Sequence, residues 1–368
     1  MRFVRPPLLG RVVFGAGARE RLDELVNELG GKRPVLIGSA SAESLVSTAR
    51  RLLHPREVGV TLGARAHVPT SDVEETVRRV AEHGADGLVA LGGGSAIGLA
   101  KAVAVATEIP IIAVPTTYSG SEMTMVYGAT EAGRKHVQRS SIAAPRIVIY
   151  DPSLTVDLPR AVTIETGVNA VAHCVEALYA SQADPAMTIA ARKGLHELID
   201  GLPRLASVPE DLAARERVLL GAYCAGLALA GCGMGLHHRI CHVLGGASLA
   251  PHGKLNAAVL AHVVALNAGH APMLRDALVE ELGGSDVTVA LWDWLTDLGA
   301  PTSLPDAGAG GLDLDEVAAS VVEPPPPNPA PVSHAVVREL LERARMGVAP
   351  GLAVDEDAAR ENHETSHD

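Results

Sequence analysis

The stretch LVALGGGSAIGLAK, Leu88–Lys101, decides the fold. Its apolar start reads as a buried strand, its three glycines as a tight turn, and its alanine-rich end as the opening of a helix. A helix that begins directly behind such a turn presents unpaired N–H groups and the positive end of its dipole, and glycines let a phosphate approach the backbone closely. Gly92, Gly93, Gly94 and Ser95 are therefore the candidate pyrophosphate cradle. Three adjacent glycines exceed what a ligand-free turn requires. The spacing is not G-x-G-x-x-G, and the unit follows a later strand than the first, so the arrangement departs from the usual dinucleotide fingerprint.

Outward from this unit the chain alternates. RVVFGAG, RPVLIGS, IPIIAVPTT and PRIVIYD read as strands, and ARERLDELVNELG, SAESLVSTARRLL (with Ser41 as its N-cap) and SDVEETVRRVAEHG as helices. Such alternation implies a parallel sheet covered on both faces. From about Pro159 to Leu298 the chain shows helical periodicity and almost no strand signal. The expected fold is an α/β, Rossmann-like nucleotide-binding domain over residues 1–152, followed by an all-α catalytic domain over 153–347 and an acidic, disordered tail over 348–368. EPPPPNPAP, Glu323–Pro331, is compatible only with extended, polyproline-like chain.

Composition excludes several classes. The net charge of -12 argues against nucleic acid and anionic membrane surfaces as partners, while leaving room for a small anionic ligand at a local basic patch. No apolar run suits a signal peptide or a comfortable bilayer span. Cys174, Cys224, Cys232 and Cys241 form no C-x-x-C pair and read as small buried residues. A cytoplasmic, reduced protein is expected.

Two further stretches carry chemistry. AVPTTYSGSEMT, Ala113–Thr124, leaves a strand with a run of hydroxyls; Thr116, Thr117, Tyr118 and Ser121 would form the second wall of the nucleotide cleft. GLHHRICHVLGGASLAPHG, Gly235–Gly253, holds four histidines in nineteen residues. Asn169 and His173 are four apart, as are His238 and His242, so each pair shares a helix face, and His252 follows in P-H-G. A single histidine is most often a hydrogen-bonded core imidazole; this clustering beside a nucleotide motif points to a site.

In this order, GGGSAIGLAK, PTTYSGSEMT, GRKHVQR, VIYDPSL, GVNAVAHCVEALYA, GLHHRICHVLGG and APHGKLNAAVLAHVVALN resemble the iron-containing alcohol dehydrogenase superfamily over about residues 10–347, and within it the maleylacetate reductases. The resemblance implies the dehydroquinate synthase-like fold, a homodimer, and NADH or NADPH as cofactor, with Ser39 and Lys101 joining the glycine loop in binding it. In metal-dependent members an Asp and three His hold an iron or zinc ion. Residue by residue these positions are Asn169, His173, His238 and His252, and His242 matches a non-ligating histidine near the nicotinamide. His237 fits none of the matched positions and keeps the core reading. Asn in place of Asp removes a negative charge from the ligand set; it agrees with the reductases, as does Gly98 where metal-dependent relatives carry Asp. A divalent metal is thus expected not to be required.

The implied reaction sends a hydride to the alkene of an unsaturated oxo-acid, with imidazoles stabilising the enolate and supplying a proton. Arg139, Arg239, Lys254 and Tyr118, with Arg134 and Lys135, are the candidate partners of the dicarboxylate. Two departures stand out. PPNPAP, Pro326–Pro331, replaces a Y-W-N-P-R-P-like stretch, with Ala330 in place of Arg, and LAH at His262 replaces L-P-H. Competing readings are a metal-dependent alcohol or aldehyde dehydrogenase, a biosynthetic homologue with another substrate, and a non-catalytic nucleotide-binding partner.

Overall fold

A computed structural model describes residues 10–131, 134–181, 183–248 and 250–351, without the side chains of residues 134 and 135. The acidic tail expected from the sequence lies, from residue 352 on, outside the described residues.

Eight strands are described: β1 Arg11–Phe14, β2 Pro34–Gly38, β3 Gly59–Leu62, β4 Gly87–Gly92, β5 Ile111–Pro115, β6 Val126–Glu131, β7 Arg134–Arg139 and β8 Ile147–Tyr150. Six of them form one sheet in the order β1-β8-β5-β4-β2-β3, and every pairing in it is parallel. Helices α1 Leu22–Glu28, α2 Glu43–Leu52, α3 Thr70–His83 and α4 Gly94–Thr107 connect its strands. β2, β4 and β5 are buried along most or all of their length, as expected of a sheet covered on both faces. β2 leads outward to β3, whereas β4 leads the other way to β5. The strand order thus reverses between β2 and β4, the crevice where open α/β sheets receive ligands.

One local expectation is corrected, and two elements are added to those expected. Ser41 does not cap α2: it lies in a 3-10 turn, Ala40–Ala42, and the cap position falls to Ala42, which supplies no side-chain bond. β3 was not foreseen, because GVTL is short and only one of its residues is buried. Arg134–Arg139, from the GRKHVQR stretch, forms β7, paired antiparallel with β6 outside the main sheet.

No strand follows Tyr150 among the described residues. Ten helices do: α5 Arg160–Tyr179, α6 Pro185–Ser207, α7 Leu212–Cys232, α8 Leu236–Ala247, α9 His252–Asn267, α10 Pro272–Leu282, α11 Val287–Asp297, α12 Leu304–Ala307, α13 Leu314–Val321 and α14 His334–Met346. Side-chain caps fix several starts. Asp184 accepts from the N–H groups of Ala186 and Met187, at 2.7 and 3.0 Å, with Pro185 at the first position of α6. Asp211, Asp286, Asp313 and Ser333 cap α7, α11, α13 and α14 likewise. α5 and α9 are buried nearly all round and form the centre of this half.

Small residues set the spacing of α5, α6 and α7. A Cβ on Gly194 would lie 2.8 Å from Cys174 Sγ and 3.1 Å from the Gly221 carbonyl oxygen, and one on Gly221 would lie 2.7 Å from Leu198 Cγ. One on Gly201 would meet Val218 at 2.6 Å, and one on Gly167 would collide with Leu202. With few aromatic rings to fill volume, close backbone approach supplies the packing contacts.

Candidate active site

The glycine loop closes the carboxyl end of β4. Gly92 has φ of 140°, a value that L side chains rarely adopt. A Cβ on Gly93 would lie 2.8 Å from Thr117 Cγ2, so the two walls of the crevice touch at a position only glycine fits. Gly93 stands at the N-cap of α4 with no side-chain cap, leaving the first N–H groups of the helix to a ligand. Thr117 Oγ1 and Ser119 Oγ are buried without a partner in the facing loop. Ser39 follows β2 across the switch point. Its hydroxyl is 3.0 Å from Ser41 Oγ and 3.8 Å from where a Cβ on Gly92 would stand. Ser39, Gly92 to Ser95, Thr116 and Thr117 thus gather around one crevice.

The same loop reaches the helical half. Asn169 Nδ2 donates to the Ser119 carbonyl at 3.2 Å, and a Cβ on Gly120 would lie 3.4 Å from His173 Nδ1. The glycine loop and the histidines therefore adjoin through residues 116–121.

The histidines come from three helices. His173, on α5, stacks on His238, on α8, with ring centroids 4.5 Å apart. His252 opens α9; its ring lies 6.2 Å from that of His238 and 5.5 Å from that of His242. Asn169, His173 and His238 are buried, while His242 and His252 are exposed. The site therefore has a dry floor and a wet rim.

Glu176 organises the floor, and the sequence reading missed it. Glu176 Oε2 accepts from His238 Nδ1 at 2.8 Å and from the Gly235 N–H at 2.9 Å. Glu176 Oε1 accepts from the His238 N–H at 3.1 Å and from the Tyr179 hydroxyl at 3.2 Å. The carboxylate thus fixes the His238 proton on Nδ1 and leaves Nε2, which is buried without a partner, as an acceptor. A signal was present: Asn169, His173 and Glu176 stand at i, i+4 and i+7 of one helix face.

Burial, with the neighbouring His242, lowers the His238 pKa to about 3, so its ring is neutral near pH 7. Burial and His238 hold His173 well below the ordinary histidine range. His237, read as a core imidazole, is buried and directs Nε2 at the Asn256 carbonyl, 2.9 Å away. Glu176, His237 and His238 bring ligand-type atoms within 4.8 Å of one another, but the donors already facing Glu176 identify this cluster as a hydrogen-bonded support.

Several residues expected to touch ligands are engaged elsewhere. Tyr118 is fully buried, and its hydroxyl accepts from Arg215 Nη1 at 3.1 Å. Its side chain therefore braces the loop from behind rather than meeting cofactor or substrate. Lys101 is also fully buried and donates to the Ser121 carbonyl and to Thr124 Oγ1, both at 2.9 Å. Burial lowers its pKa to about 7 against the opposing charge of Glu122; the lysine holds the hydroxyl loop, and Ser121 serves that contact through its carbonyl. Arg239 spends its guanidinium on the carbonyls of Ser320, Val321 and Glu323, at 2.6, 3.3 and 2.9 Å, because the end of α13 leaves them unpaired. Arg139 is exposed at the end of β7, and the side chains of Arg134 and Lys135 lie outside the described residues. Lys254 remains a candidate for an anion: it sits half-buried in the first turn of α9, two residues past His252 and close enough to Glu165 to lower its pKa, although burial raises that carboxyl more.

Comparison with known proteins agrees with this geometry. Residues 10–152 match a family profile described as iron-containing alcohol dehydrogenase. Residues 163–345 match the C-terminal profile of the same family. The chain is 39% identical over 349 residues to maleylacetate reductase 1 of Cupriavidus pinatubonensis, covering 95% of this chain and 99% of that protein. It is 38% identical to the maleylacetate reductase of Sphingobium indicum over 353 residues, again 95% of this chain and 99% of that one. The crystal structure of maleylacetate reductase from Agrobacterium tumefaciens superposes with a TM-score of 0.90 at 38% identity, over 95% of this chain and all of that one.

Proposed function

Because this chain belongs to the iron-containing alcohol dehydrogenase family, and so is an oxidoreductase, we propose that it reduces maleylacetate to 3-oxoadipate with NADH or NADPH. The observation that carries the reading is the floor of the site. An amide stands where a ligating carboxylate is expected, and beside it His238 is fixed by Glu176 with Nε2 as an acceptor.

The chemistry follows from these groups. A bound nicotinamide would supply the hydride, to the alkene carbon remote from the ketone, with the π electrons moving to the ketone oxygen. The resulting enolate takes a proton at the carbon next to the carbonyl, which completes the saturated oxo-acid. His173 and His238, held neutral by burial, exclude water and orient the substrate. The exposed His242 and His252 are the imidazoles that solvent can reprotonate, which suits them to supply the proton. Ketone conjugation already makes the alkene electrophilic, whereas alcohol oxidation needs help in acidifying a hydroxyl. Lys254 and the N–H groups opening α9 would serve the carboxylates of a dianionic substrate.

The donors also suit a divalent ion in kind. Asn169 Oδ1 and His238 Nε2 are buried without partners, and with His173 and His252 they would hold it as a neutral set. When bound, such an ion would polarise the ketone oxygen. Asn169→Asp is expected to raise the divalent metal retained per chain, measured by elemental analysis, with little or no gain in maleylacetate reduction. Near-stoichiometric tight metal in the natural protein, with activity lost on chelation, would favour an alcohol or aldehyde dehydrogenase instead. The decisive assay follows NADH loss with maleylacetate against a panel of aldehydes.

Ser39 bears on cofactor choice. A neutral hydroxyl at the end of β2 neither repels a 2′-phosphate, as a carboxylate there would, nor attracts it. NADH and NADPH are expected to be used within about tenfold of each other, or about 1.4 kcal/mol. Ser39→Asp shifts the enzyme toward NADH by penalising NADPH. Steady-state kinetics with both cofactors checks this, and a natural preference above about a hundredfold would mean that another residue reads the ribose.

A further inference from the structure

We propose that Lys101 and Glu122 are positioning residues that set the width of the nucleotide crevice, by clamping the turn Ser121–Met123 at the end of the hydroxyl loop between α4 and β8. The inference rests on the reading of that crevice as the cofactor site.

Both side chains are fully buried, so neither meets a ligand. They hold neighbouring residues of one turn. Lys101 Nζ donates to the Ser121 carbonyl and to Thr124 Oγ1, both at 2.9 Å, and Thr124 Oγ1 donates to the same carbonyl at 3.2 Å. Glu122 Oε1 accepts at 2.8 Å from the hydroxyl of Tyr150, the last residue of β8. The Tyr150 ring packs against those of Phe14 and Tyr223, with centroids 6.1 and 5.6 Å away. Behind the turn, α7 leaves no slack: a Cβ on Gly226 would lie 2.9 Å from Met123 Cγ.

Lys101 stands about two turns along α4 from Gly94 and Ser95, which open that helix at the cradle. An ammonium fixed to α4 therefore fixes the loop relative to the cradle, through charge-assisted bonds that water does not reach. The other end of the loop is anchored where the Thr116 N–H donates to the Gly92 carbonyl at 3.2 Å. Between the two anchorages stand Thr117 Oγ1 and Ser119 Oγ, buried without partners. Arg215 and Asn169 hold the middle of the loop to the helical half. Among the described residues, Lys101 is the side chain that hydrogen-bonds the loop to α4. Without it the turn is free to move away from α4, and part of the binding free energy of a nucleotide goes into closing the crevice.

The test sets NADH affinity, from fluorescence titration of the full chain, beside Tm. Lys101→Met alone leaves the buried Glu122 carboxyl without an opposing charge and is expected to lower Tm. Lys101→Met with Glu122→Gln removes both charges and keeps an acceptor for Tyr150. This double variant is expected to regain most of the lost Tm yet to bind NADH about tenfold more weakly than the natural protein. A pair that served stability alone would not split the two readouts, so NADH affinity restored together with Tm would overturn the proposal. Tyr150→Phe releases the Glu122 end of the turn, adds no charge and keeps the ring. It is expected to raise the NADH dissociation constant about threefold, and it decides the matter should the double variant fold poorly. An unchanged constant in Tyr150→Phe would then refute the clamp. A natural protein that binds neither NADH nor NADPH would defeat the reading of the crevice and the clamp with it. A natural protein that binds NADH no better than its variants would defeat the clamp alone.

Discussion

Alanine at His252 or at His242 is expected to lower turnover with maleylacetate by about 100-fold or more, the usual scale of general acid–base help. Both rings stand at the exposed rim, 5.5 Å apart, and lie 6.2 and 6.4 Å from that of His238. They join the dry floor to bulk water, whereas burial keeps the protonated forms of His173 and His238 out of reach near neutral pH. His237→Ala should cost less per folded molecule, since that imidazole is turned to the Asn256 carbonyl. Steady-state kinetics, paired with a cofactor titration to show that the nucleotide still binds, separates the three variants. Should His237→Ala prove the most damaging, the assignment of the rim histidines is wrong.

Arg215→Met is expected to destabilise the folded chain by about 3–5 kcal/mol, the order reached when several buried acceptors lose their donor at about 1–3 kcal/mol each and some of them find new partners. Arg215 is fully buried. Its guanidinium donates to the carbonyls of Pro209, Val156 and Leu158, to the Tyr118 hydroxyl and to Thr163 Oγ1, at 2.9 to 3.3 Å. Methionine fills much of the volume but leaves five acceptors without their donor. For a protein of this size the loss corresponds to a fall in Tm of about 4–7 °C. Arg215→Lys should not restore it, because an ammonium lacks the planar fork that serves five acceptors at once. A Tm within about 2 °C of the natural protein would disprove the account. Since Tyr118 sits in the hydroxyl loop, weaker nucleotide binding is expected alongside.

The broad architecture was legible because it rests on local periodicity. The glycine turn, the alternating strands and helices, and the change to helices after Tyr150 each leave a mark in a short window. β3 and the β6–β7 pair were not legible as strands. Neither is buried enough to show alternation, and GRKHVQR is mostly polar. At the site, residue types were readable but their partners were not. Arg239 looks like a ligand for an anion until α13, some eighty residues later, brings it three unpaired carbonyls. Tyr118 and Lys101 sit in motifs that suggest contact with a nucleotide, and burial gives both a different task. Glu176 was overlooked for the opposite reason: a lone acid within a helix usually faces water, and only the return of α8 across α5 makes it the partner of His238.

The glycines that seat α5, α6 and α7 against one another have an evolutionary consequence. At Gly167, Gly194, Gly201 and Gly221 even one added methyl meets a neighbouring side chain or backbone, so descendants of this chain can explore almost nothing there without moving a whole helix. New substrate preference must then arise where replacement is cheap, on the exposed rim around His242 and His252. A mutational scan for altered substrate range should therefore find its gains at the edges of the site and almost none beneath it.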